Sequence, residues 1–196
     1  MTIHKILPKV VYETTDVCVE HLDSFEKEIK LLEDRSNTTP YFQVKSSHNV
    51  IQTLHRIPPF KILTSEINFH IKKFLIEYGY SERLSNATKV DMMWFNIGGK
   101  GNYLFPHTHP GSFISGVFYV KTMPENVIHF YDPNKSPFAE AENINECSST
   151  TFTLRCQKGS LYMFHSDLHH ATPYQEAEGE KIIISFNASL PGSDFR

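Results

Sequence analysis

The chain has 196 residues, 40% of them hydrophobic and 21% charged, and a net charge of −3. That is an ordinary globular composition, long enough to bury a sizeable core. It excludes a basic nucleic-acid-binding surface and a charged interaction tail, and no apolar run approaches membrane-spanning length.

The N-terminal stretch "MTIHKILPKVVYETTD" lacks the long apolar segment of a signal peptide. Cys18, Cys147 and Cys156 are odd in number and show no C-x-x-C spacing. They argue against a disulfide framework and a thiolate metal site, so a reduced, cytoplasmic setting is expected.

Two helices are predicted in the first ninety residues. "SFEKEIKLLEDR" has Asp23 or Ser24 as N-cap and Phe25, Ile29 and Leu32 at helical spacing. "PFKILTSEINFHIKKFLIEYGY" starts after Pro58 and Pro59. Its stripe is Phe60, Leu63, Ile67, Ile71, Phe74 and Tyr78, and Gly79 is a fitting stop. His70 lies in this helix, where a half-buried packing role is expected. "DRSNTTPYFQVKSSHNV" reads as loop and short strand.

After residue 90 six short runs rich in β-branched and aromatic residues follow: "DMMWFNI", "SFISGVFYV", "VIHFY", "TFTLRC", "SLYMF" and "IIISFNA". Gly-, Pro- and Asn-containing turns separate them, as in a sandwich, jelly roll or barrel. The polar stretch 132–150 reads as a surface loop. The layout predicts a mainly β fold with packed helices, of the α+β class. It forms one domain over 1–196, with a helix-rich part in 1–90 and a jelly-roll core in 91–190.

Eleven histidines are many for this length, and six of them fall between 107 and 170. In "FPHTHPGSFISGVFYV", His107 and His109 stand two apart. On a strand such residues face one side together, as a pair of metal ligands must. Pro106 and Pro110 hold the segment extended and place it at a strand end. Far downstream, "GSLYMFHSDLHHATPY" ends an apolar strand in histidines. The pair plus one of His165, His169 and His170 makes three facial ligands with open positions, an arrangement for catalysis rather than structure. An ordinary strand start accounts for the H-x-H pair alone equally well. Lys181, Ile183 and Ser185 share one face of the strand "EKIIISFNA". Lys181 is either a solvated strand end or a buried cation that needs an anion.

Taken together, "HTHPGSFISGVFYV", "FHSDLHHATPY" and "KIIISFN" resemble the successive motifs of a group of 2-oxoglutarate- and iron(II)-dependent oxygenases. "MMWFNI" and "HFYDP" are similar to two further strands of that group. The likeness spans roughly residues 90–190 and is loose before that. It implies a double-stranded β-helix, a distorted jelly roll, that binds Fe(II) and uses 2-oxoglutarate as cosubstrate with O2. It implies that His107 and His109 are metal ligands. Ungapped alignment of "FHSDLHHAT" puts the third ligand at His170, whereas anchoring on the following proline selects His169. The cation that holds the far carboxylate of 2-oxoglutarate is then Lys181. Asn96, Tyr103 and Ser115 lie near the motifs and are candidates for contact with the cosubstrate or with the metal ligands.

Two departures stand out. His109 occupies the position where the wider superfamily carries a carboxylate. Lys181 replaces an arginine and loses its bidentate fork, and Ile183 replaces the serine behind it. These departures leave open a cupin-like three-histidine metalloenzyme that does not use 2-oxoglutarate, or a jelly-roll binding module. The expected substrate is a small molecule or a peptide, with no nucleic acid and no membrane partner.

Overall fold

Two antiparallel sheets face each other in the computed structural model, which describes residues 9–38, 44–133 and 148–190. The larger has seven strands in the order β1 (Val11–Thr14), β9 (Leu161–His165), β6 (Ile114–Lys121), β11 (Glu180–Ser189), β4 (Lys89–Gly99), β3 (Lys45–Ser46) and β2 (Asn37–Thr38). The smaller has four, in the order β5 (Leu104–His107), β10 (His169–Thr172), β7 (Val127–Tyr131) and β8 (Thr151–Arg155). This is the double-stranded β-helix expected from the sequence.

Strand alternation divides the larger sheet into two working faces. Met93, Phe95 and Ile97 of β4, Phe118 and Val120 of β6, and Ile182, Ile184 and Phe186 of β11 enter one apolar cluster with the helices. Residues one step away turn towards the smaller sheet. There Val117, Tyr119, Phe164 and Ile183 pack on Ile128 and Phe130 of β7. The same face carries Trp94, Asn96, Ser115, Ser185 and Asn187 along a cavity of 640 Å³.

Helix α1 (Leu22–Leu32) buries Leu22, Phe25 and Ile29. Its cap position is His21, so Asp23 and Ser24 lie inside the first turn instead of capping it. The reason is local: the 3₁₀ turn Val19–His21 runs directly into the helix. Helix α2 (Phe60–Glu77) starts after Pro59 and buries Phe60, Leu63, Ile67, Ile71 and Phe74. Tyr78 lies past its end and is 39% exposed, so the stripe finishes at Phe74. Gly79 follows with φ 98°, a conformation that favours glycine. His70 packs within the fold and hydrogen-bonds the Tyr12 hydroxyl through Nδ1 at 2.8 Å.

Helix α3 (Glu82–Ala87) and strand β1 in the N-terminal part were not expected. Helix α3 is capped by the Ser81 hydroxyl, which accepts from the Leu84 amide. Strand β1 adds to the edge of the larger sheet through β9. Six and four residues are too short to display a hydrophobic period. Each of the six expected strand runs forms a strand. The expected loop 132–150 lies mostly outside the described residues, as does Cys147.

Gly116 marks where the sheet leaves no space. A Cβ there would clash with Phe186 Cζ and sit 2.6 Å from the Tyr162 carbonyl oxygen. Only glycine fits between β11 and β9 at this point.

Candidate metal centre

His107, His109 and His170 converge at the mouth of the cavity, with one ligating atom of each within 4.8 Å of the others. Two of them meet by register. His107 ends β5, and its Cα partner across the ladder is His170 of β10. Their ring centroids are 4.3 Å apart. Pro106 fits inside β5 because β5 is an edge strand.

His109 arrives differently. It lies beyond the end of β5, in the following turn, so strand alternation does not place it. Its backbone N–H donates to the Ser166 carbonyl at 2.9 Å, which fixes the turn against the end of β9. Its ring stacks on Trp94 with centroids 5.7 Å apart and planes 26° apart. The His48 ring meets the same Trp94 edge-on at 4.7 Å.

Hydrogen bonds define the tautomers. His107 Nδ1–H donates to the Phe105 carbonyl at 2.7 Å, and His170 Nδ1–H donates to the Leu168 carbonyl at 2.9 Å. His109 Nδ1–H donates to Asn187 Oδ1 at 2.8 Å. An oxygen acceptor at each Nδ1 puts the proton there and makes Nε2 the lone-pair nitrogen of all three rings. Burial lowers the pKa of each ring. For His109 it falls to about 4, with His107 pushing the same way, and His170 lies well below the ordinary value. All three are therefore neutral at pH 7, the form that ligates a metal.

Three neutral imidazoles on one side suit a borderline divalent ion such as Fe(II) and leave positions for small ligands. Among the described residues no carboxylate joins the group. Asp167 pairs with His165 at 3.2 Å instead.

The other expected site residues fare differently. The cluster contains His170, while His169 is one step along β10 and does not enter it. Asn96 lines the cavity and donates from Nδ2 to Ser185 Oγ at 3.1 Å. Ser115 is fully buried and donates to Asn187 Oδ1 at 2.9 Å, with Ser166 Oγ 2.8 Å away. Tyr103 does not reach the site. It packs edge-on against Phe105, which is 54% exposed on the outward side of β5, and neither ring lines the cavity.

Lys181 is buried at 5% exposure, on the same face of β11 as Ile183, Ser185 and Asn187. Burial lowers its pKa to about 8, and its electrostatic neighbour is the Cys156 thiol. It is a buried cation, not a solvated strand end, and it lies beside Ile183 without itself lining the cavity. Tyr119 lines the cavity with the Cys156 thiol as an electrostatic neighbour, and burial holds the phenol neutral.

Trp94, buried at 5% exposure, also lines the cavity, and Asn187, Ser166 and His48 were not anticipated at the site. Alternation along β11 carried the signal for Asn187, two residues beyond Ser185.

Residues 92–187 match the model of a family described as "Putative 2OG-Fe(II) oxygenase". The fold is similar to a prolyl-4-hydroxylase from Pseudomonas putida, with TM-score 0.65, 10% identity and 94% of each chain covered. It is similar to HygX from Streptomyces hygroscopicus with nickel, 2-oxoglutarate and hygromycin B bound, at TM-score 0.62, 13% identity, and 94% of this chain and 84% of that one. It is also similar to the non-heme alpha ketoglutarate dependent epimerase SnoN from nogalamycin biosynthesis, at TM-score 0.64, 10% identity, and 96% of this chain and 87% of that one. At such identities the likeness is one of fold. No curated protein matches the chain in sequence.

Proposed function

We propose that the chain, whose residues 92–187 match the 2OG-Fe(II) oxygenase family, is such an enzyme, with iron held by His107, His109 and His170 and the far carboxylate of 2-oxoglutarate held by Lys181. The enzyme uses Fe(II), 2-oxoglutarate and O2. Bound iron supplies the redox chemistry: 2-oxoglutarate, O2 and a substrate C–H bond give succinate, CO2 and a C–OH bond.

One observation carries the ligand assignment. Three neutral rings, each with Nδ1 hydrogen-bonded and Nε2 as the lone-pair nitrogen, lie within 4.8 Å at the cavity mouth. The protein's own part is positional. The β5–β10 ladder sets two rings and the turn at His109 sets the third. The apolar wall of Val117, Ile128, Phe164 and Ile183 keeps water from the depth of the cavity. Lys181 is the buried cation of β11 and so supports a site for an anionic end. Tyr119 stands across the ladder from Ile183 and offers a neutral hydroxyl nearby.

A cavity of 640 Å³ suits a small molecule or a segment of peptide as substrate. No helix among the described residues is long and apolar enough to cross a membrane. The cytoplasmic assignment is supported by the free, buried Cys18 and Cys156.

The test is anaerobic titration with Fe(II) and 2-oxoglutarate. A visible metal-to-ligand band appears only with both, and succinate forms when O2 is admitted. Metal binding without the band and without succinate would remove 2-oxoglutarate and leave a three-histidine metalloenzyme of another kind. His170→Ala abolishes metal binding and His169→Ala retains it. The reverse result moves the ligand to His169.

A further inference from the structure

An imidazole in a carboxylate's place brings a requirement that a carboxylate lacks. Either carboxylate oxygen can ligate, but an imidazole ligates only through the nitrogen that does not carry the proton. Something must therefore hold the proton of each ring on the far nitrogen. For His107 and His170 the backbone does so, through the carbonyl two residues earlier in each case. His109 relies on a side chain, Asn187, supplied by the opposite sheet.

We propose that Asn187 is a positioning residue, which sets the tautomer and ring orientation of His109 so that its Nε2 faces the metal. This rests on the three-histidine reading of the centre.

In the structure the amide presents its oxygen to both neighbours. Asn187 Oδ1 accepts from both His109 Nδ1–H at 2.8 Å and Ser115 Oγ–H at 2.9 Å. Ser115 has only one hydroxyl proton. With it committed to Asn187, the 2.8 Å contact to Ser166 has Ser166 Oγ–H as donor. Ser166 also accepts the His109 backbone N–H through its carbonyl, so one residue anchors both the main chain of His109 and the far end of the side-chain relay. Ser115, Ser166 and Asn187 are 0%, 2% and 5% exposed, so water does not compete for these bonds. An amide turned the other way would offer Nδ2–H to Nδ1. The imidazole proton would then move to Nε2, where it blocks ligation. Trp94, stacked 5.7 Å from His109, fixes the plane of the ring, and Asn187 fixes its proton.

Two measurements test this. The first is the tautomer of His109 in the metal-free chain, read by long-range ¹H–¹⁵N correlation of the ring nitrogens. The unaltered protein shows the Nδ1–H form; an Nε2–H form there overturns the proposal before any variant is made. In Asn187→Leu, which keeps the bulk and removes the acceptor, the His109 signals move to the Nε2–H form or to a mixture, while His107 and His170 stay unchanged. The second is Co(II) affinity by visible absorption. Asn187→Leu weakens binding by roughly 10- to 100-fold. Asn187→Asp, which keeps an oxygen acceptor, retains both the tautomer and the affinity. Unaltered signals in Asn187→Leu, or an Asn187→Asp variant as weak as Asn187→Leu, overturns the proposal. Absence of Co(II) binding by the unaltered chain overturns the three-histidine reading and this inference with it. Metal binding with the stated variant pattern but no succinate defeats the oxygenase reading alone and leaves the role of Asn187 standing.

Discussion

Lys181 shows how a single residue is asked to serve two ends. It is 5% exposed, and burial lowers its pKa to about 8 from 10.5. Between those two values the unfolded chain binds more protons than the folded one, so stability rises with pH across that window. Below about pH 8 the full cost of the buried charge is present. Lys181→Met should therefore raise the melting temperature at pH 7 and flatten the stability profile between pH 8 and 10.5. The same substitution should weaken 2-oxoglutarate binding to the Ni(II)-loaded chain by on the order of 100-fold, since a buried ion pair broken at one partner costs about 3 kcal/mol or more. A lower melting temperature together with unchanged 2-oxoglutarate affinity would remove Lys181 from the cosubstrate site. The sequence left this lysine between a solvated end and a buried cation because burial depends on the flanking strands, which spacing along one strand does not reveal. The histidines were more legible: type and spacing put forward His107 and His109 with one of His165, His169 and His170, and the family resemblance pointed to His170, the one that joins the cluster. The reason for His109 was not, since a backbone bond to Ser166 places it, far away in sequence.

Among the elements, the strands were legible wherever alternation ran five residues or more. β4, β6 and β11 each present an apolar row to the helices and a mixed row to the cavity. The short β5 and β10 carry His107 and His170 but show no pattern of their own, because four residues hold only two per face. Helix α2 was legible to its stop at Gly79, whereas the start of α1 was obscured by the 3₁₀ turn that leads into it. Gly116 of β6 offers a test of how tightly the larger sheet is packed. Gly116→Ala forces a methyl against the Phe186 ring and the Tyr162 carbonyl. Overpacking of this kind costs about 1–3 kcal/mol. Chemical denaturation should show a lower midpoint with an unchanged slope; an unchanged midpoint would mean that the strands separate freely at this point.

On the scale of the whole molecule, the two sheets have separate tasks. The larger is backed by α1 and α2 and holds the main apolar cluster. The smaller supplies His107 and His170 from its first two strands, and its edge strand β5 is paired through only two registered positions, His107 with His170 and Leu104 with Thr172. An ion held by both histidines would span that ladder from one strand to the next and act as a latch on its weakest edge. At 100 times its dissociation constant a metal bound only by the closed form stabilises it by about 2.7 kcal/mol. Backbone amide exchange at Leu104, Phe105 and His107 should then quicken by on the order of 100-fold when a chelator strips the protein, while β6, β9 and β11 keep their protection. Equal quickening in both sheets would mean that the ion supports the global fold. Local quickening would make the mouth of the cavity a part that opens whenever iron is scarce.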